Sequence, residues 1–278
     1  MKKNNKNQSS LFESYEKLHA LDELFESSAT YRSSENYFSL MKFIRKFPTL
    51  SPFNAFLIHM QNSGVQLVMN PKKWKGFGRT IKSNARPLVV LVPFGPVDFI
   101  YDIADTEGSE IPDLILNPFH TSGMLNPEVY DLTMRNCASD YIHYQEEEMA
   151  KHSAGYATNR EKDFFKVVVN KSYNLETKFS TLIHELAHVY SGRLGTIQNN
   201  WWKPRLNLEK TIKEIEAESI SYLVCGRLGL KTSSDSYLSN YIENNKEMPF
   251  ISMETILTMS GYIESLGRVG FKPKTKKT

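Results

Sequence analysis

Cysteine is nearly missing from this chain of 278 residues: there are two, Cys137 and Cys225. They stand far apart and form no closely spaced ligand pair, which excludes a cysteine-held metal site and a disulfide scaffold. Both are expected as small buried apolar residues. Long hydrophobic runs are lacking too. The longest, Pro87 to Phe94, has strand length, far below the roughly 20 residues that cross a bilayer, so no membrane partner is expected. The first thirty residues contain no apolar core of a secretory signal, and the expected location is the cytoplasm. No internal repeat occurs, and no low-complexity segment outside the two lysine-rich ends. What remains is ordinary globular material, with 40% hydrophobic and 23% charged residues, enough to bury a sizeable core without staples.

The net charge of +3 is unevenly spread. Lys2, Lys3, Lys6, Lys272, Lys274, Lys276 and Lys277 exceed it by themselves, so the body between the tails is mildly acidic. The expected organisation is a basic arm with an amphipathic helix over 1–34, one small domain over 35–110, a second over 111–271 and a basic tail over 272–278.

Apolar residues at helical spacing predict helices over 10–28, 35–47 and 51–60, the last with Ser51 as N-cap and Pro52 at the first helical position. The period then changes. Val65 to Met69, Leu88 to Val92 and Val97 to Tyr101 read as strands, followed by a linker from Pro112 to Met124 and a short helix after Pro127. Glu146-Glu147-Glu148 is taken as a solvated helix face. Gly155-Tyr156 and Phe164 to Asn170 predict a hairpin around Asn159-Arg160. Helices follow over Leu175–Ser191, Leu208–Leu228, Ser236–Asn245 and Met253–Leu266. The order gives an α+β protein of two parts.

The strongest chemical signal is His184-Glu185-Leu186-Ala187-His188. It lies on a helix framed by Asn174 as N-cap and Gly192 as stop. Positions i and i+4 share a helix face, so both imidazoles reach one metal, and Glu185 stands beside them as a base for water. The alternative is a helix with two buried, hydrogen-bonded histidines. Zinc with an open position needs a third protein ligand. No further histidine is available downstream, but Glu214-Ile-Glu-Ala-Glu218 is. Glu214 is taken as that ligand and Glu218, one turn on, as acceptor for a histidine ring nitrogen; the spacing leaves the reverse open. Glu216 is roughly 200° around the axis from Glu214 and best fits a solvated face. Tyr190 and Tyr222 are both candidates for stabilising an oxyanion.

Thr181-Leu-Ile-His-Glu-Leu-Ala-His-Val-Tyr190, with Glu214-Ile-Glu-Ala-Glu-Ser-Ile-Ser-Tyr-Leu-Val-Cys225, resembles the zincin-like metallopeptidase domain of ArdC-type antirestriction proteins. It is more distantly similar to the ImmA/IrrE metallopeptidases. Asn54-Ala-Phe-Leu, Trp74, Gly78-Arg79-Thr-Ile81, Pro87 to Pro93 and Asp105-Thr-Glu-Gly108 resemble the single-stranded-DNA-binding domain of the same family. The two together span about residues 37–245. Ser83-Asn84-Ala85-Arg86 stands where the family has a Gly-Glu-Lys-Gly turn. The resemblance implies a small α/β DNA-binding-like domain followed by a helical, gluzincin-type metallopeptidase domain with a short β-hairpin or sheet, and an antirestriction or mobile-element role.

Nucleic acid is also suggested by composition alone. Between Pro71 and Val97 lie Lys72, Lys73, Lys75, Arg79, Lys82 and Arg86 with no acid, and Trp74 and Phe77 interleave with them. Cations for phosphates and aromatics for bases are what single-strand binding needs. The bland reading is a basic solvated loop with Trp74 in the core. Three functions follow. The first is a zinc metallopeptidase, with Zn²⁺ on His184, His188 and Glu214 and Glu185 as base, and with Phe164–Asn170 as a strand edge for a peptide substrate. The second is a protective single-stranded-DNA-binding protein whose metal is structural or regulatory. The third is a protease of one transcriptional repressor.

Overall fold

The computed structural model describes residues 29–92, 95, 97–111, 123–150, 153–159, 163–197 and 200–274. The helix expected over 10–28 and most of the linker after Pro112 lie outside these residues.

After a helical turn at Ala29–Arg32 come helices α1 (Ser34–Lys46) and α2 (Pro52–Gln61). Ser51 accepts from the Asn54 amide and Pro52 fills the first helical position, the capping expected from the sequence. Strands β1 (Val68–Met69), β3 (Leu88–Val90) and β4 (Asp98–Asp102) form an antiparallel sheet in the order β1-β4-β3, with Leu88 opposite Ile100. Two α2 side chains complete it. Gln61 donates to and accepts from the Val89 backbone, and Asn54 does the same with Leu91. The basic segment is not a loop: Asn70 caps α3 (Pro71–Gly76) by accepting from the Lys73 amide. Strands β2 (Arg79–Ile81) and β5 (Thr106–Gly108) then pair as an antiparallel ribbon.

The second sheet runs β6-β8-β7. Strand β6 (Ile142–Glu147) lies parallel to β8 (Phe165–Asn170), and β7 (Gly155–Thr158) lies antiparallel to β8 on the other side. The hairpin was expected; β6 was not. Glu146 and Glu147 end a strand rather than forming a solvated helix face, because Glu146 accepts from Lys178, Tyr144 and Tyr130. Strand β8 is also central, so it offers no free edge to a substrate. That edge belongs to β7.

Helices α4 (Pro127–Cys137), α5 (Leu175–Tyr190), α6 (Lys210–Arg227), α7 (Ser233–Asn244) and α8 (Met253–Leu266) supply the rest. Helix α5 packs on β7, β8 and α6, while α1 packs on α6 and α7 and α2 on α8. One apolar cluster therefore runs from Tyr37 and Phe56 through Val167 and Leu186 to Ile263. Both cysteines are free and buried within it. Under the C-terminal end of α5, buried Asp140 accepts from the hydroxyls of Tyr190 and Tyr262. Lys274 of the basic tail sits 4.2 Å from the Trp201 ring centre. Among the described residues, no helix is long and apolar enough to cross a membrane.

Candidate metal centre

Asn174 accepts from the Thr177 amide to start α5, and Phe179, Leu182, Ile183, Leu186 and Val189 bury its inner face. His184 and His188 then emerge one turn apart at the border of that face. Gly192, at φ +73°, reverses the chain after the helix, and a Cβ there would meet the Lys203 carbonyl oxygen at 1.9 Å. Only glycine fits this turn.

The donor atoms of His184, His188 and Glu214 form the group among the described residues able to hold a metal. His184 Nε2 and His188 Nε2 are 3.0 Å apart, and Glu214 Oε2 is 3.7 Å from each. Ligands at 2.0–2.1 Å from a tetrahedral ion stand about 3.4 Å from one another, so this triangle is sized for one. Two neutral imidazoles and a carboxylate suit a divalent ion of the zinc type. Glu218 sits on the far side of the same ring, its Oε1 3.6 Å from His184 Nδ1. The structure thus brings together His184, His188, Glu214 and Glu218, with Glu214 in the donor triangle and Glu218 behind it.

Burial and the Arg193 cation depress both histidines, His188 to about 2. Each ring is thus held neutral, the form that binds metal. Glu185 moves the other way, to about 7, chiefly through burial and the neighbouring Glu214 charge; a hydrogen bond from the Ala157 backbone in β7 opposes the rise. A carboxyl poised there exchanges protons readily near neutrality.

Arg193 was not singled out from the sequence. It is 5% exposed, its Nη1 lies 2.5 Å from His188 Nδ1, its Nη2 stands 3.9 Å from Glu216 Oε2, and its Nε is buried without a hydrogen-bond partner. A basic residue just past the motif helix, near its negative end, was the available signal. Glu216 overturns its expected role. It is fully buried, takes two bonds from Arg205 at 2.7 and 2.8 Å and one from the Ser252 amide, and so pins the segment that carries Arg205. Tyr190 bonds Asp140 in the core, and buried Tyr222 lies against Arg45. Neither tyrosine faces the donor triangle.

The basic segment divides. Trp74 is fully buried and its indole donates to the Tyr101 carbonyl, so it packs the core and presents no face to a base. Arg79 is half-buried and spends its guanidinium on Thr106 and Ser109. Lys82 reaches the Ala104 carbonyl while remaining exposed. Lys72, Lys73, Lys75 and Arg86 are exposed. Lys73 borders a cleft of about 710 Å³ with Lys46, Phe47, Met69, Phe77 and Ile100.

No protein-family model matches the chain, and no curated protein matches it. Solved structures do. The chain is similar to the metal-free structure of the antirestriction protein ArdC from plasmid R388, at 13% identity and a TM-score of 0.41, over 83% of this chain and 96% of that one. It is also similar to the Mn(II)-bound structure of that protein, at 13% identity and a TM-score of 0.40, over 84% of this chain and 98% of that one.

Proposed function

We propose that the chain is a metal-dependent peptidase with zinc as its ion. The observation that carries this reading is the triangle of His184, His188 and Glu214 donors, with Glu185 beside it and poised near neutrality. The ion, held by those three residues, supplies Lewis acidity to a water and to a peptide carbonyl. Glu185 takes the proton from the attacking water and passes it to the departing amine, so one carboxyl serves as base and then as acid. Glu218 fixes the His184 ring, and Arg193 balances the carboxylates gathered around the centre. Strand β7, whose Ala157 amide also holds Glu185, is the edge along which an extended peptide lies. The sequence resemblance adds an antirestriction or mobile-element setting. Metal analysis of the purified protein against His184→Ala tests the centre; equal zinc in the two sinks it.

A second reading concerns single-stranded DNA. Exposed Lys72, Lys73, Lys75 and Arg86, on a segment without acids, support it, with Phe77 in the adjoining cleft in place of the buried Trp74. The slope of log K against log salt is then about −0.7 per phosphate neutralised. Lys73→Ala with Lys75→Ala makes it shallower by roughly one to one and a half units. Binding that is undetectable at low salt removes this half and leaves the peptidase untouched.

A further inference from the structure

Beside the metal centre, and sharing His184 and Glu185 with it, opens a pocket of about 240 Å³. Its lining is unusual in kind. Ser180, Thr181, Ser221, Ser233 and Ser234 bring hydroxyls, Glu218 brings a carboxylate, and no lysine or arginine lines it. Strand β7 closes one side without bulk: a Cβ on Gly155 would meet Thr181 Cγ2 and the Val168 carbonyl oxygen, each at 2.6 Å.

A hydroxyl has one proton to give. Ser180 and Thr181 both give theirs to the Thr177 carbonyl, at 3.0 and 2.8 Å. Ser234 gives its proton to Glu218. What these three hydroxyls have left for a guest is lone pairs, and with the Glu218 carboxylate they give the pocket acceptors and negative charge. It suits a side chain that ends in donors and a positive charge. Lysine fits better than arginine. The planar guanidinium prefers a carboxylate with both oxygens available, and Glu218 is already engaged by Ser234 and His184. An ammonium turns its three protons toward separately placed acceptors.

We propose that this pocket is the specificity site of the peptidase and receives a lysine side chain next to the scissile bond. The proposal rests on the peptidase reading above. The test uses Glu185→Gln protein loaded with zinc and a capped alanine-rich peptide carrying a single lysine, alongside its norleucine counterpart. Binding is measured by calorimetry. The lysine peptide is expected to bind about tenfold tighter, the factor one charge-assisted hydrogen bond supplies. Ser180→Ala with Thr181→Val, added to the same protein, is expected to bring the two peptides within about threefold. Ser180→Ala alone gives part of the loss if the double variant folds poorly. Equal binding of the two peptides, no binding of either, or a lysine preference unchanged by the hydroxyl variants overturns the pocket. In the unsubstituted protein, a lysine preference in binding with neither peptide cleaved overturns the peptidase reading instead. Cleavage of both at equal rates overturns the pocket alone.

Discussion

On the proposed peptidase reading, single side chains at the centre divide into those that would hold the ion and one that would move a proton, and substitution separates them. Glu185→Gln keeps the shape and removes the base, so zinc stays bound while hydrolysis is abolished; proteolysis surviving at unchanged zinc content would refute the assignment. Glu214→Ala removes one of three ligands and is expected to strip most of the metal. Glu218→Ala removes a partner of the far nitrogen of His184 rather than a donor of the triangle and is expected to weaken binding by about 10–100-fold. A metal titration that ranks the two the other way reverses their roles. Asp140 yields a prediction away from the metal. Burial raises its carboxyl above the ordinary range. At low pH the folded and unfolded chains both hold that proton; as pH rises the unfolded chain ionises first and stability falls until the buried group follows. Asp140→Asn removes this step, so the melting temperature of the natural protein relative to the variant drops as pH rises through the ordinary aspartate range and above it. A relative rise over that window contradicts the account.

At the scale of elements, much of the chain was legible where local chemistry and the apolar period agree. Helices α5 and α8 begin where the sequence placed them and end within a residue of it, because Asn174 and Ser252 cap them and their buried faces are regular. Helix α7 starts earlier than expected: its capping box, Thr232 with Asp235, precedes the first large apolar residue of the pattern, Tyr237. Strand β6 was illegible because its acidic end is neutralised by Lys178, distant in sequence. The same holds for Glu216, whose burial depends on Arg205 from another segment. At the site, the i,i+4 spacing was enough to place the two histidines side by side, whereas Arg193 depends on how a turn folds back. Trp74 was left between two readings, and its position under β4 decides for the core. Trp74→Ala is therefore expected to cost about 3–5 kcal/mol of stability, read from urea unfolding. Loss of oligonucleotide binding at unchanged stability points back to stacking.

Among the described residues one apolar cluster joins helices α1 and α2 to the helices that carry the donor triangle, so an ion bound at the centre is expected to stabilise them together. At a hundredfold excess of ion over its dissociation constant the gain is about 2.7 kcal/mol, or roughly 5 °C in melting temperature. Zinc added to metal-free protein is expected to produce this shift, and His184→Ala to abolish it; an unshifted natural protein speaks against the centre. Molecules must also avoid one another. Beyond β3 the backbone of Val89 and Leu91 would stand open as a template for a strand from a neighbour. The amides of Asn54 and Gln61 answer those backbone groups from one helix, two turns apart. A pair of side chains thereby plays the part of a missing strand and closes this side of the sheet to a strand from a neighbour.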